Sequence, residues 1–289
     1  MMTMIRHTRA TVVLPALAGM LALSVTAAAQ PVEPRLVRMA VEPDVEVVHA
    51  GQTFNLVVRL SLEKHWHIYW INPGASGMPT DVQVRLPAGF RAAPVRFPRP
   101  KTFSSPEGMT YGYETSATIF VPITAPASLE EGTLEIPVEA SWLVCKGVCR
   151  LGDATETVVL RTSAAAAPAR PAADRFADAR RRLPVPASPT NGVAVTFEEG
   201  TLVVTGPAGG HTSGEFYPIA IPGVTFDASS VRVVDGRFRA TASITIKPGN
   251  ALGKPIFVRG VVALGMRLDD TSYSFAVAVD PDPASAARK

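Results

Sequence analysis

The sequence predicts an all-β protein built from two β-sandwich domains joined by an Ala/Pro-rich linker with a short helix. Three observations carry that expectation. Apolar residues recur with period two through most of the chain, the spacing of a half-buried strand. Pro/Gly-rich turn signals such as HAGQ, NPGASGMP, LPAG and EEG separate the alternating runs, as expected for a sandwich of short strands. A low-complexity stretch, TSAAAAPARPAA, divides the alternating runs into two blocks, and such composition reads as a linker.

The elements follow in order. Residues 1–29 open with Arg6, His7 and Arg9, continue through the apolar run TVVLPALAGMLALSV, and end with Ala27 and Ala29 at small-residue cleavage positions. This is the layout of a secretory signal peptide, with Gln30 as the first mature residue. No later stretch approaches the roughly 18 apolar residues that span a bilayer, and the ending PDPASAARK carries no anchor. The expected location is the periplasm. Residues 30–161 are expected to form the first sandwich. In TFNLVVRLSL, Phe54, Leu56, Val58, Leu60 and Leu62 share one face. In HWHIYW, Trp66, Ile68 and Trp70 point inward and His65, His67 and Tyr69 outward. In TLEIPVEASWLV, Leu134, Ile136, Val138, Ala140, Trp142 and Val144 share a face, with Glu135, Glu139 and Ser141 opposite. Residues 162–190 are the linker. Within it DRFADARRRL is a short helix capped by Asp174, with Pro184 past its end. Alternation resumes in residues 191–283, the second sandwich, and residues 284–289 are a tail.

Composition narrows the partners. The chain has 289 residues and a formal charge of +3, which falls to +1 once Arg6 and Arg9 leave with the signal. No Lys/Arg run has interleaved aromatics, so nucleic acid is not an expected partner. Arg180, Arg181 and Arg182 read as a solvated helix face.

The chemistry is concentrated in SWLVCKGVCRLGD, which holds both cysteines of the chain, Cys145 and Cys149. Four residues of extended strand span about 13 Å, whereas a disulfide needs Cα atoms roughly 4.4–6.8 Å apart. The two can pair only if the chain turns between them. Gly147 sits midway and accepts the positive φ of a tight turn. As a staple the pair closes a ring of about five residues, for which chain entropy gives roughly 2 kcal/mol against about 4.7 for a 100-residue loop. Parity places Cys145 on the face opposite Trp142 and Val144, away from the core, where a reactive thiol would have access. Lys146 and Arg150 flank the pair and favour the thiolate, the attacking species. A redox-active pair is the leading reading; a structural disulfide and a metal site remain open. His65 and His67, with the thiolates or with Met78 and Met109, have the chemistry of a Zn²⁺ or Cu(I) site. Ordinary surface histidines are the simpler reading, and no metal is assigned.

The stretch HWHIYWINPGASGMPT (His65–Thr80), followed by LPAGFRAAPVRFPRPKTFSSPEGMTYGYE and WLVCKGVC, resembles the N-terminal periplasmic domain of the DsbD/ScsB thiol:disulfide interchange proteins. The matching positions are Trp66, His67, Tyr69 and Trp70; the Asn72-Pro73-Gly74 turn; Phe97, Pro98 and Pro100; Tyr111, Gly112 and Tyr113; and Trp142, Cys145 and Cys149. EFYP at Glu215–Pro218 is similar to an aromatic-proline step in the second domain of ScsB-like members. The resemblance covers about 35–280 and is diffuse in the second domain.

The resemblance implies immunoglobulin-like sandwiches and a dithiol that works as a thiol:disulfide oxidoreductase module without a cofactor. It implies a membrane-embedded dithiol electron donor, here on a separate chain, and periplasmic thioredoxin-like or disulfide-isomerase proteins as acceptors. It also implies a cap over the pair, supplied by the Phe103–Tyr113 loop or the Asn72–Met78 loop. The candidate cap and framework residues are Trp66, His67, Tyr69, Phe103, Tyr111, Tyr113 and Trp142. The C-x3-C spacing is shorter than in the best-known DsbD, and the transmembrane segment and C-terminal thioredoxin-like domain of full-length members are not in the sequence. Two rivals stand beside this reading: a β-sandwich binding or assembly protein with a structural disulfide, and a copper-handling protein.

Overall fold

The structure, a computed structural model, describes residues 35–165, 174–247 and 255–279. The expected signal peptide and most of the Ala/Pro-rich run lie outside the described residues. Nearly all the regular structure is strand. The first half holds β1 (Val37–Pro43), β2 (Val47–His49), β3 (Thr53–Leu62), β4 (His67–Gly74), β5 (Asp81–Val84), β6 (Arg91–Ala92), β7 (Lys101–Ser105), β8 (Gly108–Glu114), β9 (Ser116–Thr124), β10 (Gly132–Lys146) and β11 (Val148–Ser163). After the helical turn α1 (Ala177–Arg180) come β12 (Val185–Pro186), β13 (Ala194–Glu198), β14 (Thr201–Pro207), β15 (Gly214–Pro218), β16 (Val224–Val234), β17 (Arg237–Ile246), β18 (Ile256–Leu264) and β19 (Ser272–Val279).

These strands form four sheets. One has the order β1-β3-β9-β6; facing it, the cysteine-bearing sheet runs β2-β11-β10-β4-β8-β7, with β5 also paired to β10. The second half has the sheets β12-β19-β18-β15 and β13-β14-β17-β16. Sheet pairs of this kind bury one face of every strand and leave the other to solvent, which is the origin of the period-two pattern. Leu56, Val58 and Leu60 of β3 meet Ile136 and Val138 of β10 in the first core. Leu202, Val204, Phe238 and Val262 sit in the second.

The parity expected for β10 holds from Leu134 to Val144, all buried. In β3 the expected face is also inward, but Val57 on the other face is buried too. The reason lies in the segment expected to be linker and solvated helix. Only Ala177–Arg180 is α-helical. Asp174 precedes it and accepts the Phe176 N–H at 2.9 Å. Phe176 and Leu183 then pack onto Val57 and Phe120. Arg180 does not lie on a solvated face: it is half-buried, paired with Asp44 and Asp174, with its guanidinium over the Phe120 ring. Arg181 and Arg182 are exposed, as expected. Among the described residues no helix is long and apolar enough to cross a membrane.

Truncating Phe176 to alanine should therefore detach this segment from the sheet. The expected cost is about 3 kcal/mol, the lower end for loss of a buried ring, read as a lower urea midpoint together with faster proteolysis between residues 174 and 183.

Candidate redox site

The chain turns where the cysteine spacing requires. β10 and β11 pair from Gly132↔Thr162 to Lys146↔Val148, which sets Cys145 directly across from Cys149. Gly147 makes the turn at φ +70°, with nothing within 4 Å of where a Cβ would stand. The sulfurs are joined, and the Cα atoms lie 4.1 Å apart, the close spacing of a cross-strand pair without ladder hydrogen bonds between its members.

Cys145 does lie on the face away from Trp142 and Val144, but it is not accessible. It is only 3% exposed, whereas Cys149 is exposed. The difference comes from what covers the sheet. β4 pairs with β10 so that His67 stands opposite Cys145, and Tyr69 shares the face of His67 by strand alternation. Tyr69, expected to point into solvent, is buried. Its hydroxyl donates to Cys145 Sγ at 3.5 Å, and its backbone carbonyl accepts a 2.6 Å bond from Thr80. The His67 ring meets Tyr69 edge-on at 5.3 Å and stacks on Phe103 at 5.2 Å.

Both candidate covering segments contribute. The Phe103–Tyr113 segment is a β-hairpin rather than a loop: β7 and β8 pair from Lys101↔Gly112 to Ser105↔Gly108. It lays Phe103 over His67. The turn after β4 lays Gly77 on the ring of Tyr69, so close that a Cβ there would meet the ring at 2.4 Å. The two segments touch, Ala75 N–H donating to the Met109 carbonyl at 2.9 Å. Gly112 is required for a different reason: a Cβ would stand 2.1 Å from the Ile68 carbonyl, so the cap strand can approach β4 only with glycine there.

The remaining candidates separate by face. Tyr113 and Trp142 lie in the core on the far side of the sheet, Tyr113 donating to the Pro98 carbonyl at 2.8 Å. Tyr111 is half-buried against Trp70 and away from the disulfide. Trp66 precedes β4 and packs at the edge of the core. Lys146 and Arg150 are exposed beside the pair. His65 is in a turn at φ +70°, so it does not share a strand face with His67 as expected. Among the described residues no cluster of three or more His, Cys, Asp or Glu is placed to hold a metal. Sequence reasoning missed Gly77, Glu107 and Glu114. Gly77 lies within the quoted motif, but nothing in a sequence pattern tells a turn glycine from one pressed on a ring.

Burial sets the protonation states. Desolvation lowers the His67 pKa, and the nearby carboxylate of Glu114 opposes it, so the ring between Tyr69 and Phe103 is neutral at pH 7. Desolvation raises the Tyr69 pKa, aided by Glu107, so its hydroxyl keeps the proton that it donates to sulfur.

The family model for the N-terminal domain of the thiol:disulfide interchange protein DsbD matches residues 35–161. That span holds strands β1 to β10 and all but the last two residues of β11. Residues 35–161 belong to the DsbD N-terminal domain family. Among solved structures, the N-terminal periplasmic domain of ScsB from Proteus mirabilis is similar at 16% identity. It covers 84% of this chain and 92% of its own, with a TM-score of 0.55. That match extends the shared fold to both halves. The Escherichia coli chaperone DraB (9% identity, 83% of this chain and 99% of its own, TM-score 0.25) and the yeast GGA1 GAE domain (13%, 42% and 90%, 0.24) are far less similar. No curated protein sequence matches the chain. The immunoglobulin-like, all-β expectation therefore stands, and within the family domain the chain carries a formed Cys145–Cys149 disulfide.

The histidine gives a pH test. Because its pKa is lower folded than unfolded, the unfolded chain binds more protons near pH 6, so the stability the neutral ring confers is present above pH 6.5 and is lost as the pH falls below it. Urea midpoints at pH 7 and pH 5 should differ less for His67→Gln than for the unaltered protein.

Proposed function

We propose that this chain is a periplasmic thiol–disulfide exchange module that passes electrons from a membrane-embedded dithiol partner to periplasmic thioredoxin-like or disulfide-isomerase proteins. The single observation that carries this is the asymmetry of the pair: one sulfur open at a hairpin tip, the other sealed beneath Tyr69. A staple needs no such division of labour.

The exchange follows from that asymmetry. A donor thiolate reaches the exposed Cys149 Sγ and forms a mixed disulfide as the Cys145–Cys149 bond breaks. The leaving Cys145 thiolate accepts the hydrogen bond of the Tyr69 hydroxyl, which favours the charged form. The donor's second thiolate attacks its own mixed-disulfide sulfur, leaves as the donor disulfide, and releases Cys149 as a thiolate. The module has then gained two electrons and, on protonation, two protons. In the forward transfer the Cys149 thiolate attacks the acceptor disulfide. Cys145 next attacks Cys149 Sγ, restoring the intramolecular bond and releasing the reduced acceptor. Lys146 and Arg150 add positive potential at the exposed sulfur, and thiolate fraction and access govern such attack. The cysteines carry the electrons, so no cofactor takes part.

Two measurements test this. The pair should equilibrate with glutathione at roughly −120 to −270 mV; a potential below about −300 mV would mark it as a structural clip. With Cys145→Ser the exposed Cys149 should accumulate mixed disulfides with periplasmic thiol proteins. With Cys149→Ser the buried Cys145 should not, and both variants should remain folded. Equal trapping by both would sink the assignment of Cys149 as the attacking sulfur.

A further inference from the structure

The cap hairpin has two sides, and only one faces the cysteines. Strand alternation puts Phe103 on the side that covers His67. Thr102 and Tyr111, cross-strand partners in the hairpin, lie on the other. That second side belongs to the junction between the two sandwiches. It is covered by Tyr217 of β15, in the second sandwich. Tyr217 is fully buried, meets Tyr111 edge-on at 5.2 Å and Trp70 at 6.1 Å, and accepts a 3.4 Å bond from the Thr102 hydroxyl. Its own hydroxyl donates to Glu215.

The hairpin's root is fixed to the same place. Arg99, two residues before β7, is 3% exposed. Its guanidinium donates to the carbonyls of Leu264 (2.9 Å), Arg267 (2.8 Å) and Gly265 (2.8 Å) in the second sandwich. A buried guanidinium is tolerated only when so paired, so root and carbonyl cluster hold each other. The other covering segment is tied as well: Asn72 donates to the Pro218 carbonyl at 2.7 Å.

We propose that the second sandwich is a brace for the cap, and that Tyr217 and Arg99 are positioning residues that hold the β7–β8 hairpin down over Cys145. The brace sets how often the cap lifts, and therefore how readily Cys145 is reached. This rests on the reading of the hairpin as the cover of the buried sulfur.

The test uses the full chain carrying Cys149→Ser, so that Cys145 is a lone thiol, and follows its alkylation by iodoacetamide under native conditions. Adding Tyr217→Ala should raise the alkylation rate about tenfold, the effect of losing the Tyr111 ring contact and the apolar burial that goes with it on one side of an opening equilibrium. Tyr217→Phe, which keeps the ring, should restore the slow rate. Phe238→Leu, in the second core but remote from the cap, should lower the melting temperature and leave the rate alone. If the alanine variant does not fold, Tyr217→Leu is read in its place and should also speed alkylation. A folded Tyr217→Ala or Tyr217→Leu whose rate stays within about twofold, or an equal acceleration by Phe238→Leu, overturns the proposal. Alkylation reads the cap whether or not the protein exchanges disulfides with a partner, so failure of the relay reading would leave this result standing.

Discussion

The cysteine end of the molecule is governed by the two-sidedness of a pleated strand. Alternation sends Trp142 and Val144 of β10 into the core, which leaves Leu143 and Cys145 on the opposite face. In most antiparallel sandwiches that face is wet. Here it carries a second cover, Phe103 from one side and Gly77 with Tyr69 from the other. Once the outer face is roofed, the rest follows: Tyr69 must find a partner for its hydroxyl and finds sulfur, His67 loses water and its charge, and β11 at the open side leaves Cys149 as the exposed sulfur. The asymmetry between two chemically identical residues is thus a property of the sheet's position and not of their sequence neighbours.

The same two-sidedness explains why the second sandwich is not a loose appendage. The first core continues past its own strands into Tyr217, Val261 and Ala263. Buried apolar contact of this kind, with a guanidinium donating to three carbonyls across the boundary, resembles a domain interior more than a transient interface. The segment from Asp174 to Leu183 adds to the same junction, since the Arg99 N–H donates to the Arg182 carbonyl at 3.0 Å.

Much of this was legible in the sequence because period two is a strong signal over long strands. The inward residues of β10 and β3 and the turn at Gly147 could be assigned from parity and spacing alone. What parity cannot say is whether the outward face meets water. For Tyr69 and Cys145 parity gives the direction and not the environment, because the roof joins Phe103, from a hairpin more than thirty residues away, to Gly77 of the turn after β4. Val57, on the face opposite Leu56 and Val58, is buried for a similar reason, its cover being supplied by Phe176. Tyr217 and Arg99 sat in plain view within EFYP and FPRP, but their meaning depends on each other's position across a boundary, which no local pattern encodes.

The smallness of the disulfide ring has a thermodynamic consequence. Folding and redox state form a closed cycle, so the stability a disulfide adds to the native state equals the amount by which folding favours its formation. The paired hairpin already holds Cys145 opposite Cys149 along the full register from Gly132 to Lys146, and closing a five-residue loop adds only about 2 kcal/mol by the chain-entropy model. The hairpin register, and not the disulfide, is therefore the main constraint that keeps the two sulfurs together. Each reduction of the pair gives up no more than about 2 kcal/mol of folding free energy, and each oxidation restores it.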